Sequence, residues 1–395
     1  MGPLDGVRVL DFTIFQQGPQ AGLVFADMGA DVVKVEAPPY GDLGRVVGSI
    51  GEERFSPYFL AHNRGKRGIT LDLKTEEGKR IGLLLAERSD VAIHNFRPGV
   101  MERLGLGYDD MRQANPRIIY GHASGWGTKG PRATHPAFDL AAQAQGGIVG
   151  VTGEPDGYPL PAGAAIADYV GALNLATAVL SALYVRERTG HGQKIETSLL
   201  GGQIAMQAWE IQYYLTHGVT GKAGRGHFFL PTIWRVFKTA DSHVVIGGIL
   251  PHTWPDFCQA MGMPELEHDP RFAKYGDLVG NRDELYAILD EGFTKKTTEE
   301  WMSRLEAADC VCAPVASYKD LVDDPQVRAN DYIVEVEHPT RGKIPVVGAP
   351  WRFSETPVEV AAAAPELGQH TEEILQELGF SWEEIEALRE QKVLG

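Results

Sequence analysis

The stretch VRVLDFTIFQQGPQAGLVFADMGADVVKVE, Val7 to Glu36, decides the fold. Val7 to Phe12 is a short apolar run with the length of a buried strand. Pro19 to Ala30 has helical spacing, with Pro19 in the first turn and Gly29 at the end. Asp31 to Glu36 is a second strand. Working outward, TEEGKRIGLLLAERS predicts a helix begun at Thr75, followed by strands in DVAIHNF (Asp90 to Phe96) and RIIYGHAS (Arg117 to Ser124). A long helix in IADYVGALNLATAVLSALYVRERT leads to an extended run in GQKIETSLL, Gly192 to Leu200. Such alternation predicts an α/β fold with a Rossmann-like parallel sheet covered by helices.

The texture changes after a linker at 201–221. Phe229 to Ile249 predicts antiparallel strands around a turn at Asp241 and Ser242, and helices follow in TWPDFCQAMG, NRDELYAILDEGF and TTEEWMSRLEAA. The expected organisation is a large domain over 1–200, a small α+β domain over 222–312, and a return of the chain to the large domain over 313–395. In the return segment, YIVEVEHP and GKIPVVGAP are short strands. Two helices then flank Gly379, the second with a capping box from Ser381 to Glu384.

The totals narrow the function. With 395 residues and 43% hydrophobic residues, the chain is globular and long enough for two domains. A formal charge of −16 opposes an extended nucleic-acid surface, which must neutralise many phosphates. No cationic stretch followed by an apolar core opens the sequence, and no uninterrupted apolar run of membrane length is present, so a cytoplasmic location with no membrane contact is expected. Cys258, Cys310 and Cys312 are too few for a disulfide framework and lack the ligand pairs of a metal site.

Glu36, after the second strand, suits an acid that binds a ribose hydroxyl in a dinucleotide fold. The loop before the helix does not suit it: FTIFQQGP holds Gly18 alone, without the glycines that admit a pyrophosphate. A nicotinamide dehydrogenase is therefore disfavoured. Asp168, just ahead of the long apolar helix, fits a helix cap on its own residues. Nothing in spacing alone assigns it chemistry.

Several segments, in order, resemble the class III CoA transferases, the formyl-CoA transferase and carnitine CoA transferase family of CaiB/BaiF type. They include PLDGVRVLDFT, MGADVVKVEAP, NRGKRGITLDLKTEEGK, DVAIHNFRPGVMERLGLGYDDM, FDLAAQAQGG, the segment from Ala167 to Leu200, and GAPWRFSETP. The resemblance spans essentially the whole chain. It implies a CoA transferase that moves CoA from an acyl-CoA donor to a carboxylic acid, with CoA as substrate and no tightly bound cofactor. It also implies that Asp168 is the nucleophile, working through a mixed anhydride and an aspartyl-CoA thioester. A carboxylate suits this, being ionised at neutral pH without a separate base.

By the same resemblance the CoA pocket uses Gln16 and Gln17, Leu71 and Lys74, and Asn95, Phe96, Arg103 and Leu104. Lys74 and Arg103 suit phosphate. Phe138, Trp209 and the residues from Arg225 to Phe229 are candidate walls of the substrate pocket. The chain departs from formyl-CoA transferase at Ile14, where that enzyme has His, at Ala37, where it has Arg, and in the glycine-rich loop, which GKAGRGHFF matches only loosely. These departures leave the acceptor acid open. The alternative within the fold is an α-methylacyl-CoA racemase. Its His aligns with Ala137, while His135 stands two residues earlier, several ångströms away at about 3.3 Å per extended residue. Finally, the resemblance implies a homodimer of interlocked subunits.

Overall fold

The computed structural model describes residues 1–49, 55–230, 232–360 and 362–395. Two compact units are built from alternating segments: the first from Met1–Ile148, Pro161–Ile211 and Pro325–Gly395, the second from Val149–Leu160 and Gln212–Asp324. The chain thus passes between units four times, and residues 313–324, expected in the return, group with the second unit.

In the first unit, strands β1 (Arg8–Asp11), β2 (Asp31–Glu36), β3 (Arg67–Thr70), β4 (Val91–His94), β5 (Ile119–Ser124) and β6 (Lys194–Ser198) form one sheet. Their order is β3-β2-β1-β4-β5-β6, all parallel, the order of a doubly wound dinucleotide fold. Between them run α1 (Gln17–Asp27), α2 (Pro57–Asn63), α3 (Glu76–Glu87), α4 (Val100–Arg103), α5 (Tyr108–Ala114), α6 (Asp139–Gln145) and α7 (Ile166–Thr189), with α8 (Leu199–Met206) after β6 and α9 (Ala208–His217) beyond. β3 has no counterpart in the sequence reading, because RGIT is too short to show a period. The end of GQKIETSLL is helix rather than strand: Ser198 accepts from the Gly201 amide and starts α8.

Alternation along the strands separates two apolar layers. Leu10, Val33, Val35, Ile69 and Tyr120 face α3 and the carboxy-terminal segment, whereas Val9, Val32, Val91, Ile93 and Ile119 face α1 and α7. By length and composition alone α7 could cross a membrane. In the fold, its Ala172, Leu175, Ala176 and Val179 are buried within the second of these layers.

In the second unit, β7 (Trp234–Lys238) and β8 (His243–Gly247) pair antiparallel, with Lys238 opposite His243 across the expected turn. Pro231, in the same expected run, lies outside the described residues. Helices α10 (Trp254–Met261), α11 (Tyr275–Gly280), α12 (Arg282–Phe293) and α13 (Thr298–Ala307) precede β9 (Cys312–Pro314), which joins β8, and α14 (Tyr318–Asp323) follows. Phe237, Phe257, Phe293 and Trp301 fill the core together with Cys258, whose thiol burial pushes up to about 12. The return comprises α15 (Pro325–Ala329), the antiparallel pair β10 (Ile333–His338) and β11 (Gly342–Val347), then α16 (Thr371–Glu377) and α17 (Trp382–Glu390). The Ser381–Glu384 capping box forms as expected.

Candidate active site

The sheet order reverses between β1 and β4, and the loops after β1, β4 and β5 open there into a cleft of about 510 Å³. A doubly wound sheet binds ligands at this crevice, beyond the carboxyl ends of its strands. The β1 and β4 loops are tied together. The Asn95 amide nitrogen donates to Ile14 O at 2.8 Å, and its oxygen accepts from Ile14 N at 2.9 Å.

Phe15 sits at φ 63, a conformation costing a non-glycine residue about 1–3 kcal/mol, and is held there from below. Asp42 Oδ1 accepts from Phe15 N at 3.0 Å, and Lys34 pairs with Asp42 at 3.0 Å while donating to Thr13 O at 2.8 Å. Lys66 and Asp11 form a second fully buried pair at 2.8 Å. The constrained loop sets the Phe15 ring edge-on to Phe138, with centroids 5.5 Å apart.

Asp168 reaches the cleft from the first turn of α7. It is not the cap: α7 starts at Ile166, so Asp168 is its third residue. The capping group is Asp139, whose Oδ1 accepts from Ala167 N at 2.7 Å and from Asp168 N at 3.1 Å. The Asp168 carboxylate accepts no hydrogen bond among the described residues. A helix amino terminus favours an anion by about 0.3–1 kcal/mol. Burial, followed by the neighbouring Asp139 charge, outweighs that and pushes the Asp168 carboxyl up to about 7.

Gln17, the first residue of α1, lines the same cleft. It is 4% exposed, and its Nε2 has no hydrogen-bond partner among the described residues. Gly171, one turn beyond Asp168, gives this side chain its space: a Cβ there would stand 2.7 Å from Gln17 Nε2. An unsatisfied donor and an unpartnered carboxylate lining one cleft are a poor arrangement for stability and a suitable one for a ligand.

Of the residues singled out in the sequence, Gln16, Gln17, Asn95, Phe96, Arg103, Phe138 and Asp168 line this cleft. Both ends of the Asn95 amide are engaged by Ile14, so its place is in holding the loops. Leu71 is fully buried in the core, Leu104 packs against that core, and Lys74 is exposed on the turn before α3. None of the three lines the cleft, nor does Trp209, half-exposed on α9. Arg225 to Phe229 belong to the second unit, where Arg225 pairs with Glu154 at 3.3 Å. His135 and Ala137 both border the cleft.

Sequence reasoning missed Tyr58, Arg97 and Asp139. Tyr58 carries a hydroxyl held protonated by burial and then by the charges of Asp168, Asp42 and Asp139. Asp139 opens α6 in FDLAAQ, a visible helix start, but no local signal ties it to a helix 29 residues on.

The family model of CoA-transferase family III matches residues 4–371. The chain belongs to this family. It is 36% identical to the succinyl-CoA:mesaconate CoA-transferase of Haloarcula marismortui, over 96% of this chain and 97% of that protein. With the formyl-CoA:oxalate CoA-transferase of Streptomyces coelicolor it shares 35% identity over 99% of each. Among solved structures, a CAIB/BAIF family protein from Brucella suis superposes with a TM-score of 0.86 at 33% identity, covering 95% of this chain and 99% of that one. The six-stranded parallel sheet is thus that of a class III CoA transferase.

Proposed function

We propose that this chain transfers CoA from an acyl-CoA donor to a free carboxylic acid through covalent intermediates on Asp168. The observation that carries the reading is the Asp168 carboxylate in the cleft, relieved of capping by Asp139 and unpartnered. The carboxylate attacks the donor thioester carbonyl; the carbon–sulfur bond breaks, giving CoA thiolate and a mixed anhydride. The thiolate attacks the aspartyl carbonyl and expels the donor carboxylate, leaving an aspartyl-CoA thioester. The acceptor carboxylate repeats the steps in reverse and restores Asp168. No net proton or electron is consumed.

Attack by a carboxylate on a thioester is uphill, since the carboxylate is the better leaving group. The oxyanion needs a donor aimed at it before reaction. Gln17 Nε2, buried and unpartnered, supplies that donor. Arg97 and Arg103, exposed on the cleft lining, suit the phosphates of CoA. Mesaconate and oxalate, named for the relatives, are acceptors to try first. A screen of carboxylates with acetyl-, succinyl- and formyl-CoA, with new acyl-CoA detected by mass, tests the class. Thioester hydrolysis without exchange in every combination would reject it.

Arg103→Ala is expected to weaken CoA binding by about 1.5–3 kcal/mol, as for a lost charged hydrogen bond, and more at low salt than at high. Lys74→Ala, away from the cleft, should change the same calorimetric titration less. The reverse ranking would move the phosphates to the turn before α3.

The active form we propose is a homodimer of interlocked subunits in the cytoplasm. Repeated passage of the chain between units supports it, as do the exposed Tyr184, Ile204, Met206 and Trp209 on α7 to α9. Linked subunits separate only when one opens, which couples dissociation to unfolding. Tagged and untagged dimers should therefore exchange subunits only under partly denaturing conditions. Rapid exchange in native buffer would reject the interlock and leave the transferase reading standing.

A further inference from the structure

Four helices among the described residues show what an acid at the third position ordinarily does. Asp110 in α5, Glu300 in α13, Asp320 in α14 and Glu384 in α17 each turn back to accept from the cap residue's own amide, at 3.0, 2.9, 2.7 and 2.8 Å. Asp168 occupies the same position in α7 and makes no such bond. Its cap residue is Ala165, which has no side-chain acceptor. The orphan amides of Ala167 and Asp168 go to Asp139 Oδ1 instead. Asp139 is itself fixed: its Oδ2 accepts from Gln143 Nε2 at 2.6 Å, and Gln143, 1% exposed, accepts from Ala162 N at 3.0 Å and so ties down the approach to α7.

We propose that Asp139 is a positioning residue for the transfer reaction, supplying the cap of α7 from another helix so that the Asp168 carboxylate stays free in the cleft with a second negative charge beside it. This rests on Asp168 being the nucleophile. The cap has a geometric consequence and an electrostatic one. Geometrically, the first turn of α7 is anchored by two bonds that do not involve the reacting oxygens. Electrostatically, the carboxylates oppose each other. The groups facing Asp168 are Tyr58 from α2 and Asp139 from α6, with Arg97, Arg103 and His135 on the same cleft. Of these charges, Asp139 is the one that acts with burial to hold the Asp168 proton up to about 7. An acid held on its proton is also a more basic nucleophile once ionised. Activity should therefore rise with pH through about 7.

The two consequences separate by substitution. Asp139→Asn keeps a carbonyl oxygen for the Ala167 and Asp168 amides but removes the charge, so the midpoint of kcat/KM against pH should move down by about half a unit or more. Asp139→Ala removes both, and its alkaline plateau of kcat should fall about tenfold or more, with a smaller change in KM for acyl-CoA. A cap of purely structural value would lower the Tm of both variants and leave the pH midpoint in place; that result overturns the proposal. If the variants do not fold, infrared or carbon-13 titration of the wild-type Asp168 carboxyl, identified by difference against Asp168→Asn, tests it. A midpoint near 4 overturns it, since burial together with the Asp139 charge is to hold this proton up to about 7. The titration needs no substrate. A wild-type protein that exchanges no CoA would therefore defeat the transferase reading by a separate route.

Discussion

Replacing Asp168 by Asn is expected to abolish CoA transfer while making the protein more stable above neutral pH. The side chains are nearly isosteric, and Asp139 rather than Asp168 caps α7, so the amide disturbs no hydrogen bond of the fold. Chemistry is another matter: a carboxamide is a poor nucleophile, and removing the nucleophile from a covalent mechanism costs on the order of 10⁴-fold or more. The stability effect follows from the direction of the pKa shift. Burial and then Asp139 raise the folded-state carboxyl from its ordinary 3.8 to about 7. The folded state then binds the proton more tightly than the unfolded chain does, so wild-type stability falls as pH rises between those values. Asn carries no such penalty. Its Tm should exceed that of wild type above pH 7, and the gap should close below about pH 4. Borohydride added during turnover should shift the mass of the wild-type peptide containing residue 168 and leave the variant's peptide unmarked. Turnover by the variant at the wild-type rate would return Asp168 to a structural role.

Much of the architecture was legible because it is local. The Val7–Glu36 stretch forms the strand, helix and strand its pattern predicts, and Thr75 and Ser381 cap the helices they precede. Periodicity fails where the element is too short to repeat, as in β3, or where one polar residue reverses the assignment, as Ser198 does. The site divides in the same way. Asn95 directly follows β4, and Gln16 and Gln17 stand where the loop after β1 enters α1, so a correct sheet, with its switch point, places them. Leu71 also follows a strand, but β3 lies two places from the switch point and its apolar side chain goes into the core. Asp139 could not be reached by such reasoning. Its role consists of bonds to amides of another helix, and the residue whose capping it replaces reads, in sequence, as a good cap itself.

Gln17→Leu is expected to move activity and stability in opposite directions. Gln17 Nε2 is buried at the start of α1 without an acceptor, and the desolvation of an unpaired polar group costs about 1–3 kcal/mol. Leucine of comparable bulk removes that donor and still fills the space left by the missing Cβ of Gly171. The variant should therefore unfold at higher denaturant concentration, with an unchanged slope. Transfer should slow by about 10²-fold, the cost of one oxyanion donor removed from a preorganised site. The loss should fall on kcat rather than on CoA affinity, because the donor meets its acceptor only as negative charge grows on the thioester oxygen. A structural glutamine would behave otherwise, with stability and activity declining together. If the leucine variant is destabilised, or turns over as fast as wild type, Gln17 packs the helix start and the oxyanion must find its donor elsewhere.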